Sequence, residues 1–288
     1  MFRDFTHRVL KRALSVALAA NRTANGAIRF QNHFTKGRQL VQSRVITEPA
    51  KFLALKLTPC GADELIDWLT SPHEESRAAA YLNAHTVNLG FADQSFAKSL
   101  NAMDVVYADG MAVVKEARRR GIPARERVSA ADFFMRFLWV ATNRKCSLAF
   151  VGGPPGLAEK CADHLRGQVP GLDVILVHDG YFAGGGAKED ALIAALKQAG
   201  PAIVLLGMGS PRQEALALRL RDEARLPTVW CVGALFEYFT PGHRRHAPPW
   251  MREWGLEWLF RLIQEPRRLA RRYLIGNLKF LVRCWTWK

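Results

Sequence analysis

The stretch Ile203-Val-Leu-Leu-Gly-Met-Gly-Ser-Pro-Arg-Gln-Glu214 decides the fold. Four consecutive aliphatic residues read as a strand buried on both faces, and two glycines then mark a tight turn. Ser-Pro-x-Gln opens a helical pattern over 211–223. The same strand, turn and helix order repeats on both sides of it. Strand patterns lie at 52–57, 80–83, 105–108, 147–151, 174–177, 203–206 and 228–232. Helical patterns lie near 62–70, 92–101, 111–120, 130–142, 156–167, 187–199 and 211–223. This alternation predicts an α/β fold, with a mostly parallel sheet covered by helices on both faces.

In such sheets ligands bind beyond the carboxyl ends of the strands, and those positions are loaded here. Asp109-Gly110 follows the third strand and Gly152-Gly153-Pro154-Pro155-Gly156 the fourth. His178-Asp179-Gly180-Tyr181-Phe182 follows the fifth, Gly207 to Glu214 the sixth, and Gly233-Ala234-Leu235-Phe236 the seventh. Glycine at a strand-to-helix turn lets backbone N–H groups approach a phosphate at a helix N-terminus. Several such turns on one edge point to a nucleotide diphosphate, with Gly152, Gly153, Asp179 and Tyr181 as candidate contacts. For each, a purely steric or turn-fixing role is the alternative. No G-x-x-x-x-G-K-[ST] is present, and no dinucleotide fingerprint follows the first strand. Asp-x-Asp, the usual divalent-cation pair of sugar-nucleotide enzymes, is also absent. A departing diphosphate would then need arginines or helix dipoles to stabilise it.

The formal net charge is +15, and it is not spread evenly. Residues 1–50 hold nine Lys/Arg against two Asp/Glu, residues 244–288 hold eleven against three, and the body between them balances. The chain therefore divides into a basic extension over 1–45, an α/β core over 46–243 and a basic appendage over 244–288. The extension reads as an interfacial helix and linker, with a disordered basic arm or a weak secretory signal as alternatives. In the appendage, Gly255 to Tyr273 interleaves arginines with Leu256, Trp258, Leu259, Phe260, Leu262 and Ile263. If helical, it brings Arg261, Arg268 and Arg271 near one face, with Arg267 and Arg272 beside them. That composition suits an anionic membrane surface, although a helix packed on its own domain has the same pattern. No run is long enough to span a bilayer, so any membrane contact is peripheral. Five cysteines without ligand-type spacing read as reduced thiols and no structural zinc.

Taken together, the motifs resemble the bacterial WecG/TagA/CpsF glycosyltransferases (glycosyltransferase family 26) from about residue 52 to 275. The matching segments are Asn83-Ala-His-Thr-Val-Asn88, Ala108-Asp-Gly110, Glu126-Arg-Val-Ser129, the Gly152-Gly153 turn, Asp179-Gly-Tyr-Phe182, Gly207 to Glu214, Ala247-Pro248 with Trp250-Met251, Gly255 to Arg261, and Glu265-Pro266. The resemblance implies an inverting, metal-independent enzyme without a cofactor. Its donor would be a UDP-sugar and its acceptor a polyprenyl-diphosphate-linked saccharide, at the inner face of the cytoplasmic membrane, in cell-surface or exopolysaccharide synthesis. It also implies Asp109 as general base and Thr86, Asn88 and Gln213 as pocket residues. Arg261, Arg268 and Arg271 would belong to an appendage that closes over the site. The chain departs from the pattern at Ala130, Glu237 and His246, positions that bear on which sugar is donated.

The residues themselves allow this chemistry. Attack on an anomeric carbon needs an acceptor hydroxyl that loses its proton, and a carboxylate at a strand end can take it. Asp109 is so placed, with a helix N-cap as its alternative role. Gln213 fits a capping box as well as a pocket, His85 reads as a packing residue, and Arg127 as either a solvated charge or a ligand. Two rival functions remain at this level. A non-enzymatic polyanion binder would use both cationic ends, and a nucleotide-binding oxidoreductase would need the missing fingerprint. The interleaved Leu, Trp and Phe of the tail favour a bilayer, and no nucleic acid is expected as partner.

Overall fold

The computed structural model describes residues 46–287, except 181, 183–184, 244–245, 249, 252–253 and 255. The basic extension over 1–45 lies outside the described residues. The described residues open with a small antiparallel hairpin, β1 (Ala50–Phe52) and β2 (Leu55–Leu57). Then follow α1 (Ala62–Thr70), β3 (Arg77–Leu82), α2 (Ala84–Ala92), α3 (Gln94–Asn101), β4 (Val105–Ala108), α4 (Met111–Arg119) and α5 (Ala130–Asn143). The second half contains β5 (Leu148–Gly152), α6 (Leu157–Gln168), β6 (Val174–His178), α7 (Ala187–Ala199), β7 (Ile203–Gly207), α8 (Arg212–Asp222), β8 (Thr228–Cys231) and α9 (Leu235–Tyr238). The tail holds α10 (Glu257–Gln264), α11 (Pro266–Ala270), a π-helical turn (Arg271–Ile275) and α12 (Gly276–Thr286).

Six strands form one sheet in the order β4-β3-β8-β7-β5-β6, with every pairing parallel. The two-residue period of the strands divides their side chains between two cores. Ala78, Ala80 and Leu82 of β3 join Val151, Leu206 and Cys231 on one face, beneath Val87 of α2, Phe96 of α3 and Leu216 of α8. Ala79, Tyr107, Phe150, Leu205 and Trp230 point the other way, against Phe133, Phe134 and Phe137 of α5 and Cys161 of α6. The α/β fold expected from the sequence is therefore present. All five cysteines are free thiols.

Three local features differ from the sequence reading. The run at 52–57 is not a strand of the main sheet. Leu53 adopts a left-handed φ of 55° that turns the chain back on itself, and Thr58 then exchanges hydrogen bonds with Val106, covering the exposed edge of β4. Second, α2 was not anticipated as a helix. Its apolar residues follow no clear stripe, and it is fixed instead by its first turn, where Asn83 Oδ1 accepts from the Thr86 N–H and Thr86 Oγ1 accepts from the Asn83 N–H. Third, the tail is not one helix. Glu265, at φ −133° and ψ 62°, ends α10, and Pro266 starts α11 at its first position.

Candidate active site

All six strands of the main sheet deliver residues to one cleft of about 430 Å³ at their carboxyl ends. Chain direction explains the opening. The helix after β7 packs on one face, while those after its neighbours β5 and β8 pack on the other, so the strand ends part between them. The floor depends on close backbone approach. A Cβ on Gly152, which sits at φ 138°, would lie 2.4 Å from the Gly207 carbonyl carbon. One on Gly233 would lie 2.5 Å from the Tyr81 hydroxyl. Gly152 is thus a steric requirement of the floor, whereas Gly153 lines the cleft itself. Gly152→Ala is expected to cost about 2–4 kcal/mol of stability, from backbone strain plus overpacking, measured by urea unfolding.

Gln213 works beneath this floor. It is fully buried, accepts from the Gly233 N–H through Oε1 at 3.0 Å, and donates through Nε2 to Glu214 Oε1 at 2.8 Å. It thereby ties the ends of β7 and β8 together. The capping box that its spacing allowed is not formed, because Pro211 occupies the N-cap and Ser210 Oγ donates to Glu214 Oε1 instead.

A second cavity of about 380 Å³ lies under the tail. It shares six wall residues with the cleft: Asn83, His85, Asp109, Arg261, Arg272 and Tyr273. Asp109 therefore stands where the two spaces meet. Its backbone N–H bonds to Leu82 O, and the N-cap of α4 is Gly110, so the carboxyl is not spent on capping. Burial pushes its pKa up from the ordinary 3.8 to about 6, with Glu257 adding to the rise while Arg261, Arg127 and a Ser129 hydrogen bond oppose it. Burial and the nearby Arg272 push His85 down to about 4, so its imidazole is neutral at pH 7.

The tail supplies the positive charge. Arg261 lines both cavities, donates to Glu257 Oε1, and stands with its guanidinium carbon 5.3 Å from the Tyr238 ring centroid. Its Nε–H is buried and has no hydrogen-bond partner among the described residues. Such a donor is costly unless something accepts from it. Glu257 also accepts from Arg127 Nη1 at 2.6 Å, and Arg127 pairs in turn with Asp132 of α5. At the other end, Asn88 Nδ2 donates to Gly276 O at 2.6 Å and its Oδ1 accepts from Arg283. Phe280 and Cys284 of α12 are buried in the core shared with α2.

A family model described as the glycosyl transferase WecG/TagA/CpsF family matches residues 50–288. The chain belongs to that family. Membership makes it a glycosyltransferase with a sugar donor and an acceptor, and sets aside the non-enzymatic polyanion binder. The WecG/TagA/CpsF match takes in the tail as well as the sheet.

The structure gathers only some of the residues singled out in the sequence. Asp109, Gly153, Asp179 and Arg261 line the cleft. Thr86 is buried in the first turn of α2, Asn88 fastens the tail, Gln213 braces the floor and Gly152 permits it. Arg271 is exposed and lines neither cavity, while Arg272 lines both. Tyr181 and the side chain of Arg268 lie outside the described residues. Sequence reasoning passed over Asn83, His85, Glu257, Arg272 and Tyr273 as wall residues of this WecG/TagA/CpsF site. For Asn83 the signal was its place at the end of β3, and for Arg272 the break announced by Pro266.

Proposed function

We propose that this protein transfers a sugar, with inversion, from a UDP-sugar to a polyprenyl-diphosphate-linked saccharide at a membrane surface. The observation that carries the reading is the position of Asp109 in the wall shared by two cavities. The glycine-edged cleft suits the donor diphosphate, and the second cavity suits the acceptor. Asp109 takes the proton of the acceptor hydroxyl as its oxygen forms a bond to the anomeric carbon. The bond from that carbon to the diphosphate oxygen breaks on the opposite side, and UDP leaves with the electron pair. Arg261 and Arg272 face the charge that develops, and a guanidinium matches phosphate oxygens with paired donors. Single displacement of this kind inverts the anomeric centre.

Support for a lipid-linked acceptor comes from the tail. Leu281 lines the second cavity and is itself 60 % exposed. Elsewhere in the tail Trp254, Ile263, Leu274, Leu278 and Trp285 are exposed too, as are Arg271 and Lys279. Exposed Trp and Leu beside basic residues suit an anionic headgroup boundary. No helix among the described residues is long and apolar enough to cross a membrane. The test is incubation with a panel of UDP-sugars and a short-chain polyprenyl-diphosphate saccharide, with and without anionic liposomes, followed by mass spectrometry of the lipid. Transfer that is faster with liposomes and unaffected by EDTA is expected. Transfer that requires added Mn²⁺ or Mg²⁺ would overturn the metal-independent part, and transfer only to soluble sugars the lipid part.

A further inference from the structure

Glu257 is the first residue of α10 and a wall of the second cavity. Its two carboxylate oxygens serve two arginines, Arg127 from the segment before α5 and Arg261 from its own helix one turn on. Burial works against its charge, but Arg261 and Arg127 outweigh this and hold its carboxyl below the ordinary value. The carboxylate is therefore ionised across the working pH range. A simple tail anchor would need only the Arg127 pair. The second oxygen instead holds Arg261, whose buried Nε–H has no hydrogen-bond partner among the described residues.

The charged, titratable and polar groups around Asp109 come from every side of the junction. Arg127 and Ser129 approach from the segment before α5, Glu257 and Arg261 from α10, Arg272 and Tyr273 from the π turn, and Tyr81, Asn83 and His85 from β3 and its turn. Tyr107 is buried beside it on β4. With His85 neutral, Glu257 is the anion that offsets Arg261 there, and it shares Arg127 with Asp132 of α5.

We propose that Glu257 is a positioning residue for sugar transfer: it fixes Arg261 for the leaving diphosphate and, by its charge, keeps the two arginines from quenching Asp109 as a base. The inference rests on the transferase reading above. Glu257, though a wall of the second cavity, makes no contact with the reacting atoms in this scheme. It acts on two groups that do, and so couples docking of the tail to the readiness of the base.

Three forms of the full chain test it: wild type, Glu257→Gln, which keeps the shape and removes the charge, and Glu257→Asp, which keeps the charge on a shorter arm. The first measurement does not depend on catalysis. Carboxyl ¹³C NMR follows the titration of Asp109, assigned by its loss in Asp109→Asn. The midpoint should fall by about one pH unit in Glu257→Gln, as expected for removing a neighbouring charge at an effective dielectric near 20. Glu257→Asp should hold it near the wild-type value. The second measurement is transfer against pH. In Glu257→Gln the acid limb should move down with the midpoint, and the plateau kcat should fall about tenfold or more with less change in the KM for donor. Glu257→Asp should recover part of it. An unchanged Asp109 midpoint together with a normal plateau in Glu257→Gln would overturn the proposal. So would equal losses in Glu257→Gln and Glu257→Asp with the midpoint unmoved, which would make the residue an anchor only. A shifted midpoint with no transfer by wild type would keep the charge coupling and overturn the reaction instead.

Discussion

Asp109→Asn should cut turnover by about 10²–10⁴-fold, the usual worth of a positioned base, while making the folded protein more stable at neutral pH. The two effects have one cause. Burial raises the Asp109 pKa to about 6, above its ordinary 3.8. The folded state therefore keeps this proton to a higher pH than the unfolded state does. Stability falls as pH rises from about 4 to about 6, and above 6 the full cost of the buried charge is present. That cost is about 2–3 kcal/mol at most, from a shift of roughly two pH units. Asparagine removes it, so the gain in Tm over wild type should be largest at pH 7 to 8 and vanish near pH 4. Calorimetry across that range, beside transfer kinetics on the same samples, checks both. A mutant that turns over normally would remove Asp109 from the chemistry, and one whose Tm gain is flat with pH would contradict the raised proton affinity of its partly buried carboxyl.

Arg261→Ala should cost about 10²–10³-fold in kcat, the scale seen when one preorganised donor to a developing anion is lost. Arg261 meets the requirements for that role. It lines both cavities, its orientation is fixed by Glu257 and the Tyr238 ring, and it carries a buried N–H that no described residue uses. The comparison variant is Arg271→Ala. That side chain is exposed and lines neither cavity, so it should weaken anionic liposome binding by about 1 kcal/mol and leave kcat on bound enzyme close to normal. Paired liposome sedimentation and transfer kinetics separate the two. If Arg261→Ala transfers at the wild-type rate, the leaving group is stabilised by something other than the tail.

The sheet was legible because most of its strands are short apolar runs with a glycine at or just after their ends, alternating with helical patterns, as a parallel sheet covered on both faces requires. The position of Asp109 followed directly from it. What could not be read was the phase of the tail. A seven-then-three spacing puts Arg261, Arg268 and Arg271 together only on an unbroken helix. Glu265 breaks it, and the π turn after Ala270 presents Arg272 to the site in place of Arg271. The structural bonds of Asn88 and Gln213 were hidden because their partners, Gly276 and Gly233, lie 188 and 20 residues away, whereas Thr86 bonds locally to Asn83 in a turn not read as a helix start. For α2, capping rather than periodicity carries the helix, and a window that counts apolar repeats does not register it.

The pairing of β3 with β8 sets how such a molecule can be made. Arg77 lies opposite Thr228, 151 residues further along the chain, and this junction joins the β4-β3 pair to the other four strands. Contact between such distant segments demands closure of a very long loop before the pairing is rewarded. On the ribosome, β3 and β4 therefore wait as a two-stranded fragment until the last strand has emerged. Splitting the gene between α5 and β5 is therefore expected to yield two aggregation-prone pieces rather than two folding units.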